Sequence, residues 1–260
     1  MEMLFFFVIL AMSLWLVLFW WLNELGLPTA NLQKFRKVLI VYPHPDDEVL
    51  TTGGLIQRLK QQGSEVQLVV LTKGEKGTPD AHLEQSLKQT RTQEMKRVAQ
   101  ILGIDQLRQE DFGDGELSHQ APRIARYLKQ VMQQFQPDLI ITYDRSGLYG
   151  HPDHIIVSEV VTVLYKRLCP EAIMWYASLP KSVLAMTQLP THMAEDPEFI
   201  KRRKLPNRKV FIGLGFFTKL RALRAHQSQL QSFTSSLPLN FLPLEVYFSF
   251  QLFEYFWEKE

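Results

Sequence analysis

Four ionisable side chains crowd the end of one apolar run. Residues 38–42 are rich in Val, Leu and Ile and read as a buried strand. They lead straight into Pro43-His44-Pro45-Asp46-Asp47-Glu48. One His and three carboxylates make poor core material and suit a hard-to-borderline metal ion. A helix N-terminus accounts for Asp47 and Glu48, because acids favour that position, but it gives no reason for His44. A second apolar run, residues 138–144, repeats the arrangement and is followed by Gly150-His151-Pro152-Asp153-His154. Pro152 suits the first position of a helix, which puts His151 at the cap and His154 in the first turn. A lone His is usually a surface or core residue. Two matched clusters at strand ends point instead to convergence on one metal.

The elements that must bring them together alternate. Strands are predicted at 38–42, 65–72, 104–112, 138–144 and 172–177, with helices at 47–62, 84–102, 121–134 and 152–168. This alternation predicts an α/β, Rossmann-like doubly wound, mostly parallel sheet. In a strand order of 3-2-1-4-5, taken from fold precedent, strands 1 and 4 are neighbours whose connections leave to opposite sides. That is where such sheets bind ligands. Gly53-Gly54 weakens the first helix and implies close packing there. After Ser178 the pattern fades: an irregular excursion over 180–205, a strand over 210–214, a helix over 216–230. The aromatic stretch 241–257 reads as core packing, with a membrane-associating surface as the other reading.

The net charge is +2, so no bulk attraction to nucleic acid is implied. The basic groups Lys34, Arg36, Lys37 and Lys201-Arg202-Arg203-Lys204 read as solvated or membrane-proximal. Cys169 is the one cysteine, so no intrachain disulfide is possible, and it reads as a small buried hydrophobe. The loop 73–80 carries Gly and Lys without phosphate-loop spacing and supports no nucleotide site. His82, His119 and His192 have no partner pattern and read as surface.

Residues 3–22 are uncharged, with Ser13 the only polar interruption, and are long enough to cross a bilayer as a helix. The run ends in aromatic residues rather than small ones, and only Glu2 precedes it, so it reads as an uncleaved anchor rather than a signal peptide. The expected organisation is a transmembrane anchor over 1–22, a linker over 23–33 and a catalytic domain over 34–260. Lys34, Arg36 and Lys37 predict a single-pass protein with that domain in the cytoplasm.

Pro43-His44-Pro45-Asp46-Asp47-Glu48 paired with Gly150-His151-Pro152-Asp153-His154 resembles the LmbE/PIG-L family of zinc-dependent de-N-acetylases. Thr72-Lys73-Gly74-Glu75-Lys76-Gly77, Arg91-Thr92-Gln93-Glu94 and, more loosely, Arg224-Ala225-His226-Gln227-Ser228-Gln229 extend the resemblance over most of 37–230. It implies zinc (Zn2+) held by His44, Asp47 and His154, with a position left open for water. It implies Asp46 as general base and His151 as the group facing the developing oxyanion or the leaving amine. Arg91 matches a substrate-contacting position. Glu48 and Asp153 read as helix-start acids, Asp144 as a hydrogen-bond partner of a ligating His, and His226 is left without a role.

The implied reaction is removal of the N-acetyl group from an N-acetylglucosamine-type substrate, with release of acetate. The anchor favours a lipid-linked form resembling N-acetylglucosaminyl-phosphatidylinositol. The His-Pro-Asp-His motif favours small soluble glycosides. A two-metal phosphoesterase and a sugar-binding module without activity are the other readings. The ligand types also accept iron(II), Fe2+, or cobalt.

Overall fold

The computed structural model describes residues 1–187 and 198–259. His192 lies outside them. The strands are β1 (Lys37–Tyr42), β2 (Glu65–Val70), β3 (Gln106–Gln109), β4 (Leu139–Tyr143), β5 (Ile173–Ser178), β6 (Arg208–Phe211) and β7 (Phe253–Glu258). The helices up to the sheet's central crossover are α1 (Glu2–Leu22), α2 (Asp47–Gln61), α3 (Glu84–Leu102), α4 (Ala121–Phe135), α5 (Gly147–Gly150) and α6 (Pro152–Leu168). Beyond β5 come α7 (Lys181–Met186), α8 (Phe199–Arg202), α9 (Gly215–Ala225), α10 (Leu230–Ser236) and α11 (Leu244–Ser249).

The sheet runs β3-β2-β1-β4-β5-β7-β6. Its first five strands are parallel and in the expected order. The chain then adds β7 antiparallel to β5, and β6 antiparallel to β7. The expected strand over 210–214 is therefore β6, placed at the sheet's edge, and the aromatic stretch supplies both α11 and β7.

Side chains of β1 alternate between two cores because a pleated strand points successive residues to opposite faces. Val38, Ile40 and Tyr42 join Leu55, Ile56, Met95, Val98 and Leu220 on one side. Leu39 and Val41 join Ile124, Leu128, Val131, Val157 and Val161 on the other. Thus α2 leaves β1 to one face, and α6 leaves β4 to the opposite face. The two strand ends that carry the charged clusters flank the crevice this creates. Gly54 is needed on α2, because a Cβ there would lie 2.6 Å from the Ile212 side chain.

The stretch expected as a linker is laid along the sheet edge. Ala30 N–H donates to the Lys209 carbonyl (2.8 Å), Lys209 N–H to Pro28 (3.0 Å), and Leu32 and Phe35 enter the core. The helix α1 exposes its residues 2–14 and packs only its last turns on the rest of the chain.

Candidate active site

The chain turns sharply where β1 ends. Asp46 caps α2 with φ +101°, a left-handed conformation that costs a non-glycine residue roughly 1–3 kcal/mol and persists only where neighbours enforce it. Three groups do so. Arg91 Nη2 donates to Asp46 Oδ2 at 3.0 Å and to the Pro45 carbonyl. Arg91 Nη1 donates to the Gly74 carbonyl at 2.9 Å. Glu48 Oε2 accepts the Asp46 N–H at 3.0 Å. The Asp46 carboxylate stays 26 % exposed, facing the crevice. Enclosure pushes it above the ordinary carboxylate range, against the pull of Arg91 and His226.

One residue further, Asp47 is buried in the first turn of α2. Its Oδ2 accepts the His44 N–H (2.9 Å) and its Oδ1 accepts the Tyr143 hydroxyl (2.9 Å). Burial pushes Asp47 up to about 7, opposed by His44. His44 Nδ1 lies 3.2 Å from His154 Nε2 and 3.7 Å from Asp47 Oδ2, and His154 Nε2 lies 3.5 Å from Asp47 Oδ1. Three ligands of one tetrahedral ion at Zn–N and Zn–O lengths stand about 3.4 Å apart. The His44–His154 pair and each His–Asp47 pair lie near that spacing, the two histidines meeting different oxygens of Asp47.

The other nitrogen of His44 faces two carboxylates. Nε2 lies 3.0 Å from Asp114 Oδ1 and 3.2 Å from Asp153 Oδ2. A neutral imidazole that donates from Nε2 offers its lone pair from Nδ1, the nitrogen facing Asp47 and His154. Burial alone would push His44 down, but Asp114, Asp153 and Asp47 raise it to about 10. Burial would raise Asp114, yet the hydrogen bond from His44 pulls it down to about 2. The pocket is therefore built around positive charge at this point. Burial and the neighbouring His151 and His44 hold His154 well below its ordinary value, leaving it neutral and able to ligate. The residues present fit a divalent metal.

From the β4 side, His151 caps α6 and its Nδ1 accepts the Asp153 N–H (3.1 Å). His151 is half-buried and its ring centroid is 4.8 Å from that of His44 and 4.7 Å from that of His154. Its ring nitrogen also comes within 4.8 Å of the ligating atoms of both.

A profile of the family described as PIG-L: GlcNAc-PI de-N-acetylase matches residues 39–165, the stretch that contains both clusters. The diacetylchitobiose deacetylase of Thermococcus kodakarensis is 34 % identical over 203 residues, covering 75 % of this chain and 70 % of that one. The chain belongs to the PIG-L family. Membership makes it a hydrolytic, metal-dependent de-N-acetylase. A Corynebacterium diphtheriae relative, 1D-myo-inositol 2-acetamido-2-deoxy-alpha-D-glucopyranoside deacetylase, is 29 % identical, covering 75 % of this chain and 76 % of its own. The N,N'-diacetylchitobiose deacetylase from Pyrococcus horikoshii shares the fold with a TM-score of 0.62, covering 87 % of this chain and 85 % of its own at 24 % identity.

Of the residues expected in a PIG-L site, His44, Asp46, Asp47, His151 and His154 converge on one crevice. Arg91 reaches it differently than a substrate contact would. Its side chain is 4 % exposed and spent on Asp46 and two carbonyls, so it props the base. Asp144 does not touch His154. It accepts from the N–H and hydroxyl of Ser146 and from Lys204 N–H, tying the loop after β4 to a later segment.

Glu48 and Asp153 do more than favour a helix dipole. Both are buried, and each fixes a partner in the site. Glu48 Oε1 meets His226 Nε2 at 2.8 Å, which gives His226 a place behind the base. Asp114, beyond β3, had a sequence signal only in its Gly-Asp-Gly turn. Tyr143 and Tyr149 gave none that distinguishes them from core aromatics.

Proposed function

We propose that the chain removes the acetyl group from an N-acetylglucosamine-type sugar with zinc held by His44, Asp47 and His154. The reading rests on one observation above the others. His44, Asp47 and His154 come within 3.2–3.7 Å of one another, each His through a different Asp47 oxygen, between Asp46 on one bank and His151 on the other. When bound, the metal acts as a Lewis acid toward the amide carbonyl and lowers the pKa of water in its open position.

Asp46 accepts the proton of the attacking water. Its exposed oxygen faces the crevice, while Arg91 and Glu48 fix its carboxylate and backbone. The raised affinity of Asp46 for a proton suits a base, since a carboxylate of ordinary acidity holds protons too weakly near neutrality. His151 faces the developing charge on the amide oxygen from the α6 side and donates from Nε2 when protonated. The amine departs with the proton relayed through these two groups, and acetate remains.

The relatives' named substrates, diacetylchitobiose and a glucosaminyl-inositol, support an amino sugar whose reducing end carries a second group. The apolar α1 favours a second group that is a lipid, as does the family description. In the same reading α1 crosses the bilayer and the domain faces the cytoplasm. Protease protection in oriented vesicles tests that orientation: digestion of the domain from the outer face of intact cells would overturn it.

The activity is tested by acetate release from the full chain in mixed micelles. The substrates are an N-acetylglucosaminyl phosphatidylinositol, N-acetylglucosaminyl-inositol and diacetylchitobiose, each with and without chelator. Zinc-dependent release lost in Asp46→Asn supports the reading. Release from the soluble sugars alone removes the lipid, and release from none removes the substrate class.

A further inference from the structure

The helix α1 is apolar on every side, yet its last turns are not free. Trp15 Nε1 donates to Ser249 Oγ at 3.0 Å, and its ring stacks on Phe250 at 5.7 Å. Phe19 approaches Phe253 at 6.5 Å, and Leu22 is buried with Phe250 and Val183. The Asn23 side chain donates to the carbonyls of Phe19 and Phe250 and accepts the Tyr255 hydroxyl. The same uncharged run therefore serves both as a hydrophobic span and as a packing element of the domain.

Those two uses conflict if the domain stands clear of the membrane. The run between Glu2 and Glu24 is about 30 Å long at 1.5 Å per residue, the thickness of a bilayer's hydrocarbon core. Withdrawing the packed part, from Trp15 onward, leaves about 18 Å, too short to span. The conflict disappears if the domain goes in with the helix. Trp20 and Trp21, exposed at the helix end, belong at headgroup level. Trp15 then lies about 8 Å deeper, and it carries Ser249 and Phe250 to that depth. Interfacial protein surfaces bury their apolar faces roughly 5–10 Å into the headgroup and acyl boundary.

The surface beside α1 has the composition such a depth requires. From Phe19 the contacts pass to Phe253 and on to Phe211 at 5.4 Å, whose ring lies over Gly213. Leu214 and Phe217 follow at the start of α9, 77 % and 54 % exposed. On α11, Val246 is exposed one turn from the Ser249 that holds Trp15, and Phe241 is exposed just before that helix. The exposed side of α9 continues after Leu214 and Phe217 with Arg221, a basic group suited to the headgroup zone, and with Arg224, paired to Glu245 of α11.

We infer that the domain is embedded in one leaflet through an apolar rim formed by Phe211, Leu214 and Phe217 on one flank of α1 and Phe241 and Val246 on the other. The inference rests on the reading of α1 as a membrane helix, and its occupant is the lipid surface. The helix α7, which packs against α1, follows directly from β5 at the same end of the parallel strands as His44, Asp47 and His154.

The test uses the full chain carrying Cys169→Ser, with single cysteines introduced as Phe217→Cys, Val246→Cys, Met12→Cys and Gln133→Cys. Each is labelled with an environment-sensitive fluorophore in phosphatidylcholine–phosphatidylglycerol vesicles, with and without lipids spin-labelled on the acyl chain. Met12 reports on α1, and Gln133, exposed on α4, reports on the domain away from the rim. The expected result is a blue shift and quenching at positions 12, 217 and 246, with neither at 133. Quenching at 12 without quenching at 217 and 246 overturns the embedded rim and leaves the anchor standing. No quenching at 12 overturns both. Cross-linking between two copies at 217 or 246, with no response to the spin-labelled lipids, overturns the rim in favour of self-association.

Discussion

The site contains the triplet His-Pro-Asp twice, at His44-Pro45-Asp46 and His151-Pro152-Asp153, and the two copies are turned in opposite senses. In the first, the His is buried with its Nδ1 toward His154, while the Asp stays partly exposed. In the second, the His faces the crevice, while the Asp is 1 % exposed and bonded to His44 Nε2 and to the N–H groups of Gly115 and Leu117. The difference lies in where the helix begins. The helix α2 starts at Asp47, so the whole first triplet precedes it and Asp46 takes the left-handed cap. The helix α6 starts at Pro152, so the second triplet straddles the start and His151 is the cap. A shift of two residues in helix phase exchanges which side chain points inward. Identical residue strings thus turn opposite side chains inward, and orientation follows from backbone phase.

The largest effects separate the two aspartates. Asp46→Asn is expected to lower kcat by roughly 100- to 10,000-fold, the range of a lost general base, with metal content unchanged. Asp153→Asn is expected to weaken metal affinity by roughly 10- to 100-fold, with activity restored by added metal. Equal behaviour of the two in a metal titration would break the comparison.

The histidines sharpen it next. His44→Ala is expected to lose the metal by elemental analysis, and His151→Ala to keep it while kcat falls. Retention of metal by His44→Ala would reassign the ligand set.

A smaller effect is expected behind the base. His226→Ala leaves Glu48 buried beside an empty space, and breaking a buried pair of this kind costs about 3 kcal/mol of stability. A thermal melt that matches the wild type would show that Glu48 finds another partner.

The smallest is a pH effect at the same pair. Burial pushes His226 down, but Glu48 overcomes it and raises the imidazole above its ordinary value. A raised His stabilises the fold fully below the unfolded value near 6.5 and loses that contribution as pH rises through the folded value. The melting temperature of the chelated chain should therefore decline over that window, and the decline should flatten in His226→Gln.

The comparison also shows what could be read in advance. Both strand ends, the α2 and α6 starts, and the five parallel strands follow from apolar runs, glycine stops and the Pro152 helix start, all local signals. The convergence of His44, Asp47 and His154 follows from the crossover geometry of such a sheet. Glu48 and Asp153 are first-turn acids as expected, but an acid in a first helical turn looks the same whether it faces water or a buried His. The bonds of Arg91 to Asp46 and two loop carbonyls were not legible, because a helix position does not reveal what loop lies over it.

By itself the sequence determined the αβ alternation, the two His-Pro-Asp clusters, the apolar span and the absence of an intrachain disulfide, because each depends on residue type and near-neighbour spacing. Only the tertiary structure decided that β7 and β6 extend the sheet with reversed direction, that Arg91 props Asp46, that His226 backs Glu48, and that Trp15 ties the apolar span to the domain. The physical reason is distance along the chain. Trp15 and Ser249, Glu48 and His226, and Gly54 and Ile212 meet across 234, 178 and 158 residues, and no periodicity within a window reports on which distant side chain fills a given space.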